Sequence, residues 1–439
     1  MSMNVIARLW ISLGLNAIVV ATLFAEPLQI AYCYSKESSG GIAVVSIDDQ
    51  SGKILHQSVV YESAHCLVPK KLRATDDGRT YLLTHDSDTL PLVFVVDTVD
   101  TRSSKLVELP ARPDELRIAG PLAIVTCGQD WVVTIDINSR SILGMWDCGK
   151  ILKPRGNGPQ DVLITPDRRY AAVSFQKDSR SGKKWGGRIV LFELPGMNVR
   201  SDILLARDYR DWQIDPRIRS SGPGPEVMFL DERADRFLVT LDHYGAVAIM
   251  KWSELVAGKL STIDYLPTSA DGSWGVSFPD RGTMFHVSGK PYCLVTNASE
   301  QGGAVVIDLV QANVIARFAT PPGVDTPCYI PELRAAFAVC PGKTKHREGD
   351  EVVKEYFPRN ELFVFGFSAP SLPEATLTKL SRPHNLFALG VLSRANASPY
   401  FVLASGKNRA DTLITFDPAT RTFLDSQPAI GFVADFADD

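Results

Sequence analysis

The stretch Asp161-Val-Leu-Ile-Thr-Pro-Asp-Arg-Arg-Tyr-Ala-Ala-Val-Ser-Phe175 decides the fold. Two short apolar runs flank Pro-Asp-Arg-Arg, and Pro and Asp are turn formers, so the stretch reads as an antiparallel hairpin. A third strand follows as Gly187-Arg-Ile-Val-Leu-Phe-Glu193. That third strand recurs, usually ending in Asp, at Gly41–Asp48, Leu92–Asp97, Trp131–Asp136 and Gly303–Asp308, with weaker copies at Gly245–Met250, Glu361–Phe367 and Thr412–Asp417. Each copy leads into one more apolar run, such as Asn313–Phe318. The unit is therefore four strands, here lettered A to D from the inner to the outer edge of a sheet.

Proline keeps the register. Pro69, Pro113, Pro159, Pro225, Pro383 and Pro428 each stand just before a strand A, while the units at Gly272 and Val324 lack it. Proline is tolerated where no ladder donor is needed, and its recurrence in register marks a repeat. Radial repetition of four-stranded sheets protects strand edges, so the expectation is all-β: a single β-propeller of eight blades, with seven as the alternative. Leu28–Tyr34, Ile42–Ile47 and Ile54–Val60 supply B, C and D of the first blade, and the C-terminal Ala429–Phe436 completes it as strand A, closing the ring.

These blocks resemble the YVTN family of β-propeller repeats. Its name-giving tetrapeptide is nearly reproduced at Leu294-Val295-Thr296-Asn297, and the Thr165–Val173 turn is similar to the family's A-to-B turn. The resemblance implies architecture rather than activity. Propellers of this shape include lactonase-like enzymes, quinoprotein amine dehydrogenase heavy subunits, cytochrome-associated propellers and binding proteins, and fold does not fix function.

The chain has 439 residues, 45% of them hydrophobic and 22% charged, with 46 Lys plus Arg against 50 Asp plus Glu. That composition excludes a disordered or coiled-coil chain, and no global basic field is present to hold nucleic acid. Arg8 followed by the apolar run Leu9–Phe24 reads as a secretory signal peptide over residues 1–25, leaving the propeller at 26–439. The run is shorter than the roughly 20 residues that span a bilayer, so a retained anchor is the secondary reading. Periplasmic or extracellular residence, as a monomer without membrane attachment, follows. Export would allow bridges among Cys33, Cys66, Cys127 and Cys148, with buried free thiols as the alternative.

If A runs from face X to face Y, the B-to-C and D-to-A connections emerge on X, and the long insertions are of those two kinds. They cover 147–159, 176–187, 206–224, about 265–274 and 341–360, whereas face Y has tight turns apart from 280–289. The first three and the last are net basic in a chain of net charge −4. Arg155, Lys183, Lys184, Trp185, Arg210 and Trp212 form a candidate loop surface for a protein or an anionic glycan. The second candidate is the channel mouth, where Lys70, Asp114, Gln160, Glu226, Ser273, Asp325, His384 and Ala429 open the A strands, with Lys71, Glu115, Asp161, Trp274 and Asn385 beside them. Such a ring suits a small polar ligand, or a hard metal where carboxylates converge.

Motifs for covalent haem, a nucleophile elbow, phosphate loops and zinc proteases are absent. The sequence thus supports an exported binding module on face X, without intrinsic chemistry, cofactor or metal. A lactonase-like hydrolase built on Asp114, Glu226, Asp325 and His384 is the rival, and a subunit of a redox assembly with its cofactor on another chain is the third reading. His85-Asp86 and Asp242-His243, at B-strand ends on face X, are weaker acid-base candidates.

Overall fold

The computed structural model describes residues 27–128, 130–152, 158–176, 187–205, 222–275, 277–348, 351–356, 359–367, 375–394, 397–407 and 409–437. Eight four-stranded antiparallel sheets stand in a ring, an eight-bladed propeller. From blade 1 to blade 8 the A strands are Phe432–Phe436, Pro69–Ala74, Pro113–Ala119, Pro159–Ile164, Pro225–Asp231, Pro279–Val287, Asp325–Ile330 and Asn385–Arg394. The last strand of the chain pairs with the first, Tyr32 opposite Phe436 and Cys33 opposite Asp435, which closes the circle.

Ring closure is written in the core. Each of the eight blade-to-blade interfaces holds one apolar cluster: Tyr34, Val45, Val402 and Phe436 join blades 8 and 1, and Leu191, Phe237 and Tyr244 join blades 4 and 5. Alternation along each strand therefore sends one set of side chains to each neighbouring blade, and both faces of the inner strands are buried.

The repeat residues have local causes. The Asp that ends strand C folds its carboxylate over the C-to-D turn: Asp97 accepts the Val99 and Asp100 N–H groups, Asp136 those of Asn138 and Ser139, Asp308 those of Val310 and Gln311. Asx turns of this kind favour Asp there. Asp48 does the same for Ser51, so Asp48–Lys53 is an ordinary turn.

Three expectations change. Blade 6 opens at Pro279, not near Gly272, so the proline is present and 280–287 is strand A rather than a face-Y loop. Pro428 ends a D strand, and the closing strand begins at Phe432. The candidate disulfide residues are four buried thiols: Cys33 and Cys66 lie in the blade 1–2 core, Cys127 in the blade 2–3 core and Cys148 in the blade 3–4 core, each filling space as a small apolar group. Burial pushes the Cys66 and Cys148 thiols up to about 12.

Candidate binding site at the channel mouth

The same bulge in successive A strands builds the site. In blades 2 to 6 the register breaks just past the first proline, so that one extra residue bulges from the strand. The two residues following each proline are Lys70-Lys71, Asp114-Glu115, Gln160-Asp161, Glu226-Val227 and Asp280-Arg281. A bulge re-aims side chains and frees backbone groups. Here strand B supplies a hydroxyl to the freed N–H: Thr84 accepts from Lys71, Thr126 from Glu115, Ser174 from Asp161 and Thr240 from Val227, each at 3.0 Å. Thr126 and Ser174 then donate to the carbonyls of Gln160 and Glu226 in the next blade, tying the mouth together around the ring.

The charges so placed form two networks. On one side Lys70 lies between Asp86 and Asp114, and Arg112 also pairs with Asp86. Glu115 is held by Lys71, Arg73 and Arg117, each at 3.2 Å, and these cations hold its carboxyl well below the usual range despite burial. Asp161 accepts the Met228 N–H and faces Arg117 at 3.7 Å, yet burial raises its pKa. Arg281 pairs with Asp325 at 3.4 Å.

On the other side lies a centre of which the sequence reading named Glu226 and Asp242 but not the lysine that joins them. Blade 7 carries an extra hairpin between its B and C strands, Lys343–Glu348 and Glu351–Tyr356, inside the 341–360 insertion. Its Lys345 is 1% exposed and meets Asp242 at 2.9 Å, Asp280 at 3.2 Å and Glu226 at 3.3 Å. Three ammonium protons thus find three carboxylates, which keeps Lys345 protonated well above its ordinary value. Asp242, enclosed with two like charges, is pushed up to about 7 by burial first and by those neighbours next. The Lys345 N–H donates to Ala298 at 2.6 Å, fastening the hairpin to blade 6.

Between hairpin and mouth lies a polar basin of about 250 Å³. Lys70, Lys71, Arg112, Asp114, Glu115, Gln160, Asp161, Glu226, Val227 and Arg281 line it, with Lys354 from the hairpin. Blade 7 therefore reaches across the channel to residues of blade 2. Carboxylates and bases are nearly balanced in number but not in accessibility. Asp161, Glu115 and Glu226 are 6%, 8% and 10% exposed, whereas Arg112, Arg281 and Lys70 are 47%, 31% and 26% exposed; Asp114, at 31%, is the accessible carboxylate of the wall and is paired with Lys70. What the basin presents to solvent is mostly positive.

Of the residues expected from sequence, Lys70, Asp114, Gln160, Asp161 and Glu226 meet in this basin, and Asp325 adjoins it through Arg281. His384 and Asn385 are not in its wall, and Asn385 donates to the Lys407 carbonyl. Ser273 bonds within its own loop and Trp274 packs into the blade 4–5 core. Asp280 takes the place expected of Ser273; the dipeptide Pro279-Asp280 repeats Pro113-Asp114 and Pro225-Glu226, and was the available signal. Arg155, Lys183, Lys184, Trp185, Arg210 and Trp212 lie outside the described residues. His85 has its Nδ1 2.8 Å from the Leu90 carbonyl, and Asp86 is taken by Arg112 and Lys70, so the two form no acid-base pair.

The architecture and the buried-charge mouth define the class: a β-propeller with a polar, capped channel. No family model and no curated protein sequence matches the chain. Among solved structures it is similar to the dihydro-heme d1 dehydrogenase NirN in complex with DHE, with a TM-score of 0.64 and 12% identity over 94% of this chain and 75% of that one. It is also similar to apo AztD from Citrobacter koseri, with a TM-score of 0.53 and 12% identity over 94% and 98% of the two chains. BamB from Moraxella catarrhalis aligns with a TM-score of 0.52 and 14% identity over 88% and 89%. At these identities the likeness is one of fold. No helix among the described residues is long and apolar enough to cross a membrane.

Proposed function

We propose that this chain is an exported binding module that takes a small anionic ligand, such as an acidic sugar, into the basin beneath the blade 7 hairpin and leaves it chemically unchanged. The observation that carries this reading is the uneven exposure of charge: Glu115, Asp161 and Glu226 are sunk, Asp114 alone of the lining carboxylates is accessible, and Lys70, Arg112 and Arg281, though each is paired with a carboxylate, reach solvent. A polar, part-enclosed site with several such donors suits a carboxylate or phosphate, and the bidentate geometry of Arg favours either. Export rests on the N-terminal segment of the sequence. The hydrolase reading gains little from the geometry, because Asp114, Glu226 and Asp325 each already hold a cation and none is poised beside His384.

The test is calorimetric titration of the mature protein with glucuronate and glucose 6-phosphate, with uncharged glucose as control. Saturable binding of an acidic sugar, weakened at least tenfold by Arg112→Ala, with the sugar recovered intact, is the expected result. Binding of neither anion, or equal binding by the variant, would overturn the assignment.

A further inference from the structure

The blade 7 hairpin carries a second cluster on its other face. We propose that Glu300, His346 and Glu355 form a divalent metal site, with zinc the best-suited ion, that staples the hairpin to blade 6. Their donor atoms all lie within 4.8 Å of one another.

The backbone brings them together. Ser299 and Lys345 form a parallel bridge, so the next residue on each strand, Glu300 and His346, stand side by side. Thr344 pairs with Glu355 and His346 with Val353 across the hairpin, which puts Glu355 diagonal to His346 on one face. Because side chains alternate along a strand, Lys345 points to the opposite face, into its three carboxylates. Its burial fixes the position of His346 next to it. The Ala298 carbonyl, which accepts the Lys345 N–H, likewise fixes the segment leading to Glu300.

The chemistry fits a metal better than an ion pair alone. His346 Nδ1 lies 3.3 Å from the Glu300 carboxylate. Metal–nitrogen and metal–oxygen bonds of about 2.0 to 2.2 Å place neighbouring ligands roughly 3 to 3.5 Å apart, so this separation is that of two ligands on one small ion. Two carboxylates converging on one imidazole carry up to two negative charges, which a divalent cation neutralises. One nitrogen and two oxygen donors suit zinc, or manganese less well, and leave a position open to water. Calcium, which takes six to eight oxygen ligands, is poorly served. None of the three lines the basin, and strand alternation puts Glu355 on the hairpin face opposite Lys354, so this site is distinct from the ligand pocket.

The experiment uses the mature protein stripped with chelator and then dialysed against micromolar zinc, manganese or calcium, with bound metal measured per chain. Cobalt substitution reports coordination through its visible spectrum. One equivalent of zinc is expected, with affinity reduced at least tenfold in His346→Ala and in Glu300→Gln. Glu300 is 59% exposed on its loop, so that variant tests the site without threatening the fold. Less than a tenth of an equivalent in the unaltered protein, or undiminished binding in both variants, would overturn the proposal. Zinc should also slow proteolysis within 343–356; protection that persists in Glu300→Gln would count against the staple.

Discussion

The two halves of the channel mouth hold buried charge by different means. In the half built by blades 2 to 4, each carboxylate meets cations from its own or the adjacent blade, as Glu115 meets Lys71, Arg73 and Arg117. In the half built by blades 5 and 6, three carboxylates converge with one lysine, delivered by a hairpin that leaves blade 7 and folds over the opening. The first half is open to solvent and retains accessible bases, joined there by Arg281 of blade 6; the carboxylate cluster of the second is shut around Lys345. The difference shows that a propeller can keep one part of its mouth for solutes while closing another with an insertion, without altering the ring beneath.

The shut half depends on one residue, and its removal should have the largest effect. Replacing Lys345 by Met would leave three acidic groups in a dry site with no counter-charge, and breaking a buried ion cluster in this way costs about 3 to 5 kcal/mol. Lys345→Met should therefore lower the midpoint of denaturant unfolding markedly and expose the hairpin to protease. A variant as stable as the parent, with the hairpin still protected, would mean that the carboxylates are neutralised by some other route and that the two halves are alike.

Asp242 sharpens the contrast through pH. Its folded pKa is raised to about 7 from an ordinary 3.8, so in that window the folded protein binds a proton that the unfolded chain has released. The stability it contributes is full below about pH 4 and is lost as pH rises toward 7, by an amount on the order of a few kcal/mol at most. Glu115 runs the other way, since a depressed pKa adds stability above its ordinary 4.5 that is lost on acidification. Asp242→Asn should remove the decline between pH 4 and 7 and leave the acid limb below it. An unchanged slope in that variant, measured by urea unfolding at several pH values, would contradict the placement of Asp242 among like charges.

The residues that the A-strand repeat places were largely legible in the sequence and the lysine that closes the second half was not, for a physical reason. Proline at the start of an A strand and a polar pair behind it are local signals, because the bulge that aims the pair belongs to the strand itself. Lys70, Asp114, Gln160, Asp161 and Glu226 follow from counting past each proline. Lys345 stands far along the chain from Glu226 and Asp242, in an insertion whose fold no repeat dictates, and nothing in its neighbours distinguishes it from other loop lysines. Asp280 is hidden for a different reason: the long connection from blade 5 into blade 6 imitates a strand start near Gly272 before the true one at Pro279. The bulge-bridging hydroxyls Thr84, Thr126, Ser174 and Thr240 recur at one place in strand B and mark the same positions in the sequence.

The smallest expected effect is the most informative about function. Lys70 is 26% exposed and shares its charge between Asp114 and Asp86, the latter already paired with Arg112. Pairs this accessible contribute under about 1 kcal/mol, because water and salt screen them and ordering the side chain costs entropy. Lys70→Ala should therefore leave the unfolding midpoint nearly unchanged. If the open half exists to hold an anion, the same substitution should still weaken acidic-sugar binding severalfold, and more so at low salt, since a ligand in the basin is less screened than the free surface. Loss of affinity at constant stability would separate the two halves by purpose as well as by construction. A variant that lost stability and affinity together would instead make Lys70 a structural counterpart of Lys345, and the accessible bases would no longer argue for an anionic ligand.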